Sequence, residues 1–241
     1  IYPSCWGYCS WANRADSAKS YKERELVNNL IGTVASGGQF AYNIGPKGDG
    51  TIDAFDSGVV TEVGQWMQRH PDAITGARPT WYPAPDWGKV MTKDNDLYFF
   101  PELWSPGKTL TLPSVGGHVT SVTVDGTDRS LEFTQDGTTL TVTMSGENPE
   151  PDLRPVVKVT FDGAPTYVPT QTVTAVDGAT ISSDQFFGRA SALRYSGAQA
   201  YDAYLVNKTD KAITDLTLKF SGNFDASTTY KITLGTTSIE V

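Results

Sequence analysis

The chain has 241 residues, of which 39% are apolar and 11% aromatic, and carries 19 basic and 27 acidic side chains for a formal charge of −8. That composition builds a core and excludes disorder, and the acidic balance with scattered Lys and Arg excludes a phosphate-binding surface. No apolar run reaches the roughly 20 residues of a membrane helix, so neither a nucleic-acid nor a membrane partner is expected.

The amino terminus opens inside a motif, Cys5-Trp6-Gly7-Tyr8, with neither the basic start nor the apolar core of a signal peptide. The chain is therefore expected to be the carboxyl-terminal part of a longer polypeptide. Cys5 and Cys9 are its only cysteines, too few for a disulfide scaffold and without zinc-site spacing. On a straight strand their α-carbons would lie roughly 13 Å apart. A bond between them requires the backbone to turn until they come within about 7 Å.

Ser20-Tyr21-Lys22-Glu23 reads as a capping box that starts a helix. Leu26, Val27, Leu30, Ile31, Val34 and Ala35 recur on one face of that helix. Gly37 and Gly38 then stop it by taking the left-handed conformation. Residues 39–44, Gln-Phe-Ala-Tyr-Asn-Ile, are too apolar for a half-solvated strand and read as a buried parallel one. Gly45-Pro46-Lys47-Gly48-Asp49-Gly50 turns sharply at the carboxyl end of that strand. A second helix is expected to start near Asp56 as its cap and to bury Val59, Val60, Val63, Trp66 and Met67 before Pro71. Helix, strand, helix at this spacing is the last third of a parallel (β/α) TIM-like barrel, whose full length is roughly 250 residues.

From Trp81 the pattern changes to short alternating runs at residues 96–100, 108–112, 119–124, 130–133, 138–144 and 156–161. Asp125-Gly126 and Asp136-Gly137 read as hairpin-type turns. The fold class expected is thus α/β followed by all-β. It comprises the end of a barrel at 1–79, an antiparallel β-sandwich at 80–164, and a further β-rich module at 165–241 behind a proline-containing linker. The clearest strands of that last module are expected at 216–220 and 230–234. Trp81, Tyr82, Trp87 and Trp104 are expected to pack where barrel meets sandwich.

The order of these pieces carries a resemblance. An aromatic-Gly-Tyr (Trp6-Gly7-Tyr8), a helix, Gly37-Gly38 followed by Asn43-Ile44-Gly45-Pro46 and Asp49-Gly50, then Gly64-Gln65-Trp66, then Ala73-Ile74-Thr75-Gly76-Ala77-Arg78-Pro79 resembles the α-L-fucosidases of glycoside hydrolase family 29. The likeness is specific through about residue 79. It implies removal of terminal α-linked L-fucose from glycans with retention, through a covalent glycosyl intermediate, without cofactor or metal. A fucosylated glycan is the implied substrate, the amino-terminal half of the same enzyme the implied partner, and secretion the implied destination. Asn207-Lys208-Thr209 is a matching N-glycosylation sequon.

By the same resemblance Trp6 lies at the barrel mouth against the apolar edge of fucose, near its C5 methyl group, where an aromatic wall rewards burial of a methyl by about 1 kcal/mol or more. The plain alternative is that Trp6 fills core. Tyr8 is the second substrate-binding candidate, with packing as its default role. Retaining hydrolysis needs two carboxyl groups roughly 5 to 5.5 Å apart. Glu23, Glu25 and Glu62 belong to solvated helix faces or caps, and Asp49, Asp53 and Asp56 to a turn and its exit. No catalytic residue is therefore assigned, the family's pair falling upstream of Ile1. Lys47 does not follow the final glycine of its loop and Pro46 removes an amide donor, so that loop is no phosphate cradle. His70 and His118 stand apart from any nucleophile or metal pattern. The competing reading is a non-catalytic carbohydrate-binding or adhesion module in which only the β-rich half matters.

Overall fold

The computed structural model describes residues 6–168 and, beyond them, 173–174, 176, 178–182, 187–188, 201–202, 205–206, 217–221, 231–234 and 237–240. Residues up to 168 belong to one compact unit. Its first element is a 3-10 turn, Asp16–Ala18, which leads directly into helix α1, Lys19–Ala35. The expected capping box does not form. Because the chain already turns before Ser20, the cap is Ala18, with no side-chain hydrogen bond, and Ser20 lies inside the first turn. Glu23 is buried, its carboxylate 3.6 Å from the Lys19 ammonium instead of returning to the Ser20 amide.

The stop is the one expected. Gly38 N donates to Thr33 O and Gly37 N to Val34 O, both at 2.9 Å, and Gly37 has φ 81°. These are the two hydrogen bonds of a Schellman motif, which only a residue comfortable in the left-handed region closes without strain. Leu26, Val27, Leu30 and Ile31 form the buried stripe.

Residues 39–44 depart from expectation, because they are extended but not a strand. Phe40 and Tyr42 pack edge to face, with centroids 4.7 Å apart, against the helical core, while Gln39 and Ala41 are exposed. A strand exists only through a neighbour's backbone, and among the described residues no strand pairs with this segment.

Helix α2, Ala54–Arg69, begins three residues earlier than expected. Its cap is Asp53, which accepts from Phe55 N at 3.0 Å. Asp56 is instead buried in the first turn. A short helix α3, Pro71–Ile74, follows.

The strands are β1 Arg78–Pro79, β2 Gly88–Lys93, β3 Asp96–Pro101, β4 Thr109–Leu112, β5 Val115–Gly116, β6 Val119–Val124, β7 Glu132–Asp136, β8 Thr139–Thr143, β9 Val157–Phe161 and β10 Thr166–Tyr167. Two larger antiparallel sheets result, in the orders β1-β2-β3-β9-β6 and β4-β8-β7, and β5 pairs with β10 in a small antiparallel ribbon. The Asp136-Gly137 turn joins β7 to β8 in register Asp136↔Thr139, as its sequence predicts. Strand β2 was not foreseen. It pairs with β3 through Lys93↔Asp96 around Asp94, a non-glycine residue at φ 52°, which aspartate tolerates better than most side chains.

Strand β3, inside the larger sheet, is buried on both faces, which explains its unbroken apolar run Leu97-Tyr98-Phe99-Phe100. Leu97 and Phe99 face the second sheet, where they join Leu110, Leu140 and Val142. Tyr98 and Phe100 face the helices, where they join Leu30, Val63 and Trp66. Tyr82, Trp87 and Trp104 pack on the inter-sheet core and not at a junction with the helices. Trp87 Nε1 donates to Thr111 O at 2.9 Å and Trp104 Nε1 to Gly146 O at 3.0 Å, so each indole closes the edge of the sandwich it covers.

Residues 169–189 and 198–241 make a second compact unit. Ala179–Ser182 runs parallel to Leu218–Ser221, and Lys231–Leu234 antiparallel to Thr237–Glu240, close to the two strands expected there. Asn207 lies outside the described residues.

Candidate functional site

The chain bends at Trp6 and Gly7 and lays this segment beside the loop that follows residues 39–44. Asn43 Nδ2 donates to Trp6 O at 3.0 Å. Gly45 approaches so closely that a β-carbon there would collide with the Gly7 carbonyl and the Tyr8 amide. Backbone cannot yield as a side-chain tip can. Gly45→Ala is accordingly expected to destabilise this region by about 1 to 3 kcal/mol, read as a lowered thermal midpoint. An unchanged midpoint would show the contact to be slack.

Trp6 is 87% exposed, so it does not fill core. Tyr8 is more committed. The Arg14 guanidinium lies over its ring at 4.5 Å and the Lys47 ammonium at 5.8 Å, and its hydroxyl is 3.5 Å from Asp53 Oδ2. Such cation–aromatic contacts hold a ring in place by about 0.5 to 1 kcal/mol at exposed sites. Cys9 is 2% exposed and disulfide-bonded, as a bent backbone permits. Cys5 lies outside the described residues.

The acidic side chains of this region are all engaged. Asp49 Oδ1 accepts from Thr51 N at 3.0 Å and Thr51 Oγ1 at 2.7 Å; these bonds, the amide first, hold its carboxyl below the usual range. Asp53 caps α2 and meets Lys47 Nζ at 3.1 Å. The Lys47 hydrogen bond, then that of the Phe55 amide, lowers its pKa, the wrong direction for a general acid. Asp56 is paired with Arg14 at 2.9 Å. Turn, cap and ion pair account for all three, and none is placed as half of a retaining pair. Among the described residues no group of acidic, His or Cys side chains could hold a metal ion.

A further cluster escaped the sequence. His70, 2% exposed, has Nδ1 at 2.7 Å from Asp125 Oδ2 and Nε2 at 3.3 Å from Glu150 Oε1. Arg69 holds Glu150 from the other side at 2.8 Å. The only local signal was a histidine at the end of an amphipathic helix; its partners lie 55 and 80 residues away. His118 is exposed and remote from it in sequence.

Residues 3–72 match the family model for α-L-fucosidase. The chain is 31% identical over 134 residues to the tissue α-L-fucosidase of Rattus norvegicus, covering 53% of this chain and 29% of that protein. It is 30% identical over 136 residues to the human tissue enzyme, covering 53% and 28%. Among solved structures, α-L-fucosidase isoenzyme 1 of Paenibacillus thiaminolyticus superposes with a TM-score of 0.56 at 23% identity, over 65% of this chain and 37% of that one. The bent aromatic segment, the Schellman-stopped helix and the glycine-tight loop all fall inside the matched residues, and over that part of its length the chain is similar to the α-L-fucosidases. It spans less than a third of the length of the rat and human relatives.

Proposed function

We propose that this chain is the carboxyl-terminal part of an α-L-fucosidase that removes terminal α-linked L-fucose from glycans by a retaining mechanism, with Trp6 and the exposed edge of Tyr8 lining the sugar site. The observation that carries the reading is an almost fully exposed Trp6 held by its backbone inside the family-matched region. An indole left in water is a large apolar surface awaiting a partner, and the methyl-bearing edge of a 6-deoxy sugar suits it. Residues 6–79 are the end of the catalytic barrel in this reading. In this reading the remaining strands of the barrel lie beside residues 39–44, where Gln39 and Ala41 are exposed. The sandwich of 80–164 supports the barrel by burying the helices' apolar faces, and 165–241 is an additional module. The disulfide at Cys9 fits an oxidising compartment, hence secretion, and glycosylation at Asn207 would follow.

Two measurements test this. The isolated 241-residue chain should not turn over aryl α-L-fucosides, because the catalytic carboxylates are upstream; turnover by the purified fragment would overturn the assignment. In the intact enzyme, Trp6→Ala should cost about 1 to 3 kcal/mol in kcat/KM for fucosides through lost apolar contact. An unchanged kcat/KM in a folded variant removes Trp6 from the site.

A further inference from the structure

Arg14 touches both the aromatic segment and helix α2. Its Nε and Nη2 donate to Asp56 Oδ2 at 3.1 and 2.9 Å, its Nη1 donates to the Cys9 carbonyl at 2.7 Å, and its face covers the Tyr8 ring at 4.5 Å. The side chains of Arg14 and Asp56 are 12% and 2% exposed, so the pair is shielded from water and geometrically strict. Asp56 is set in the first turn of α2, where the positive end of the helix favours a carboxylate. We propose that Arg14, fixed by Asp56, is the positioning residue for the Trp6-Gly7-Tyr8 wall of the sugar site, a role that rests on the fucose-binding reading of Trp6.

The guanidinium suits this task for a stated reason. One planar group must grip a carboxylate with one edge, reach a carbonyl with another donor and stack on a ring. A lysine ammonium offers donors from a single point and no plane. Asn43 fixes the carbonyl of Trp6 and Gly45 the approach at Gly7, both at the Trp6-Gly7 end of the segment. With Arg14 gone, the Cys9 carbonyl loses this donor and the Tyr8 ring its nearer cation, leaving Lys47 and Asp53 to hold the ring, and the wall shifts relative to the reacting centre, where a misplacement of about 1 Å is costly.

The test uses the intact enzyme and the ratio of kcat/KM for an aryl α-L-fucoside to that for the corresponding aryl pentoside, which lacks the C5 methyl. This ratio reports contact with the methyl and is insensitive to how much of the enzyme is folded. Trp6→Ala should lower it about tenfold, and Arg14→Lys and Asp56→Asn each by about fivefold, with KM for the fucoside raised. If Trp6→Ala lowers the ratio and Arg14→Lys and Asp56→Asn leave it at the wild-type value, Arg14 serves stability alone and the proposal fails while the sugar site stands. If Trp6→Ala also leaves it unchanged, the sugar-binding reading of Trp6 fails, and the positioning role with it.

Discussion

Trp66→Ala is expected to lower unfolding stability by about 4 kcal/mol or more, because the residue does two things at once. It is fully buried among α1, α2 and the larger sheet, and its Nε1 donates to the Arg154 carbonyl at 2.8 Å in a buried position. Truncating a buried tryptophan costs about 3 to 5 kcal/mol through lost transfer energy and the cavity left behind. The stranded carbonyl adds about 1 kcal/mol or more. Against a total of about 5 to 15 kcal/mol for a folded domain, this threatens the fold. Trp66→Phe should cost clearly less, since most of the volume returns and only the hydrogen bond is lost. Urea unfolding of the two variants beside the wild type separates the contributions; equal midpoints for the Ala and Phe variants would mean that the lost volume does not matter there.

The second large effect concerns His70 and pH. A neutral imidazole has one N–H and one acceptor nitrogen, yet both ring nitrogens here face carboxylate oxygens, at 2.7 and 3.3 Å. Both are satisfied only in the imidazolium form. Burial opposes that charge, but the hydrogen bonds and charges of Asp125 and Glu150 outweigh it and raise the His70 pKa above its ordinary 6.5. Glu150 shifts the opposite way. Burial would raise it, but the hydrogen bonds from His70 and Arg69 prevail and hold it below 4.5.

A raised histidine contributes its full stability below the unfolded value and loses it as pH rises through the folded one. A depressed carboxylate does the reverse, losing stability as pH falls through its lowered value. The cluster of His70, Asp125, Glu150 and Arg69, with the Trp66 ring 5.1 Å from the imidazole, is therefore most stabilising in mildly acidic solution, between the two ordinary values. The thermal midpoint should fall from pH 6 towards pH 9, and His70→Gln should flatten that fall. His70→Ala should cost about 2 to 4 kcal/mol at pH 5.5, where Asp125 is left facing a space without the imidazolium and Glu150 keeps Arg69 alone. A variant whose pH profile parallels the wild type would show that His70 is neutral in the fold.

The amino-acid sequence by itself determined the local elements. Alternation set β6, β8 and β9 almost to the residue, since a strand with one wet face repeats every second position whatever it packs against. The paired glycines after α1 set its end, because the Schellman hydrogen bonds link residues only three to five apart. The Trp6-Gly7-Tyr8 candidate came from the order of motifs along the chain. What only the tertiary structure decided involves partners distant in sequence. Asp53 caps α2, while Asp56, the cap expected three residues on, is claimed by Arg14 from 42 residues away. The unbroken apolar run of β3 reveals burial on both faces, yet not that one face meets a second sheet and the other two helices. Residues 39–44 have the apolar content of a buried strand, yet among the described residues no strand pairs with them, because strand pairing belongs to two backbones and one sequence segment supplies only the first. His70 looked isolated for the same reason: the charge that defines it resides on Asp125 and Glu150, which only the folded chain brings to its side.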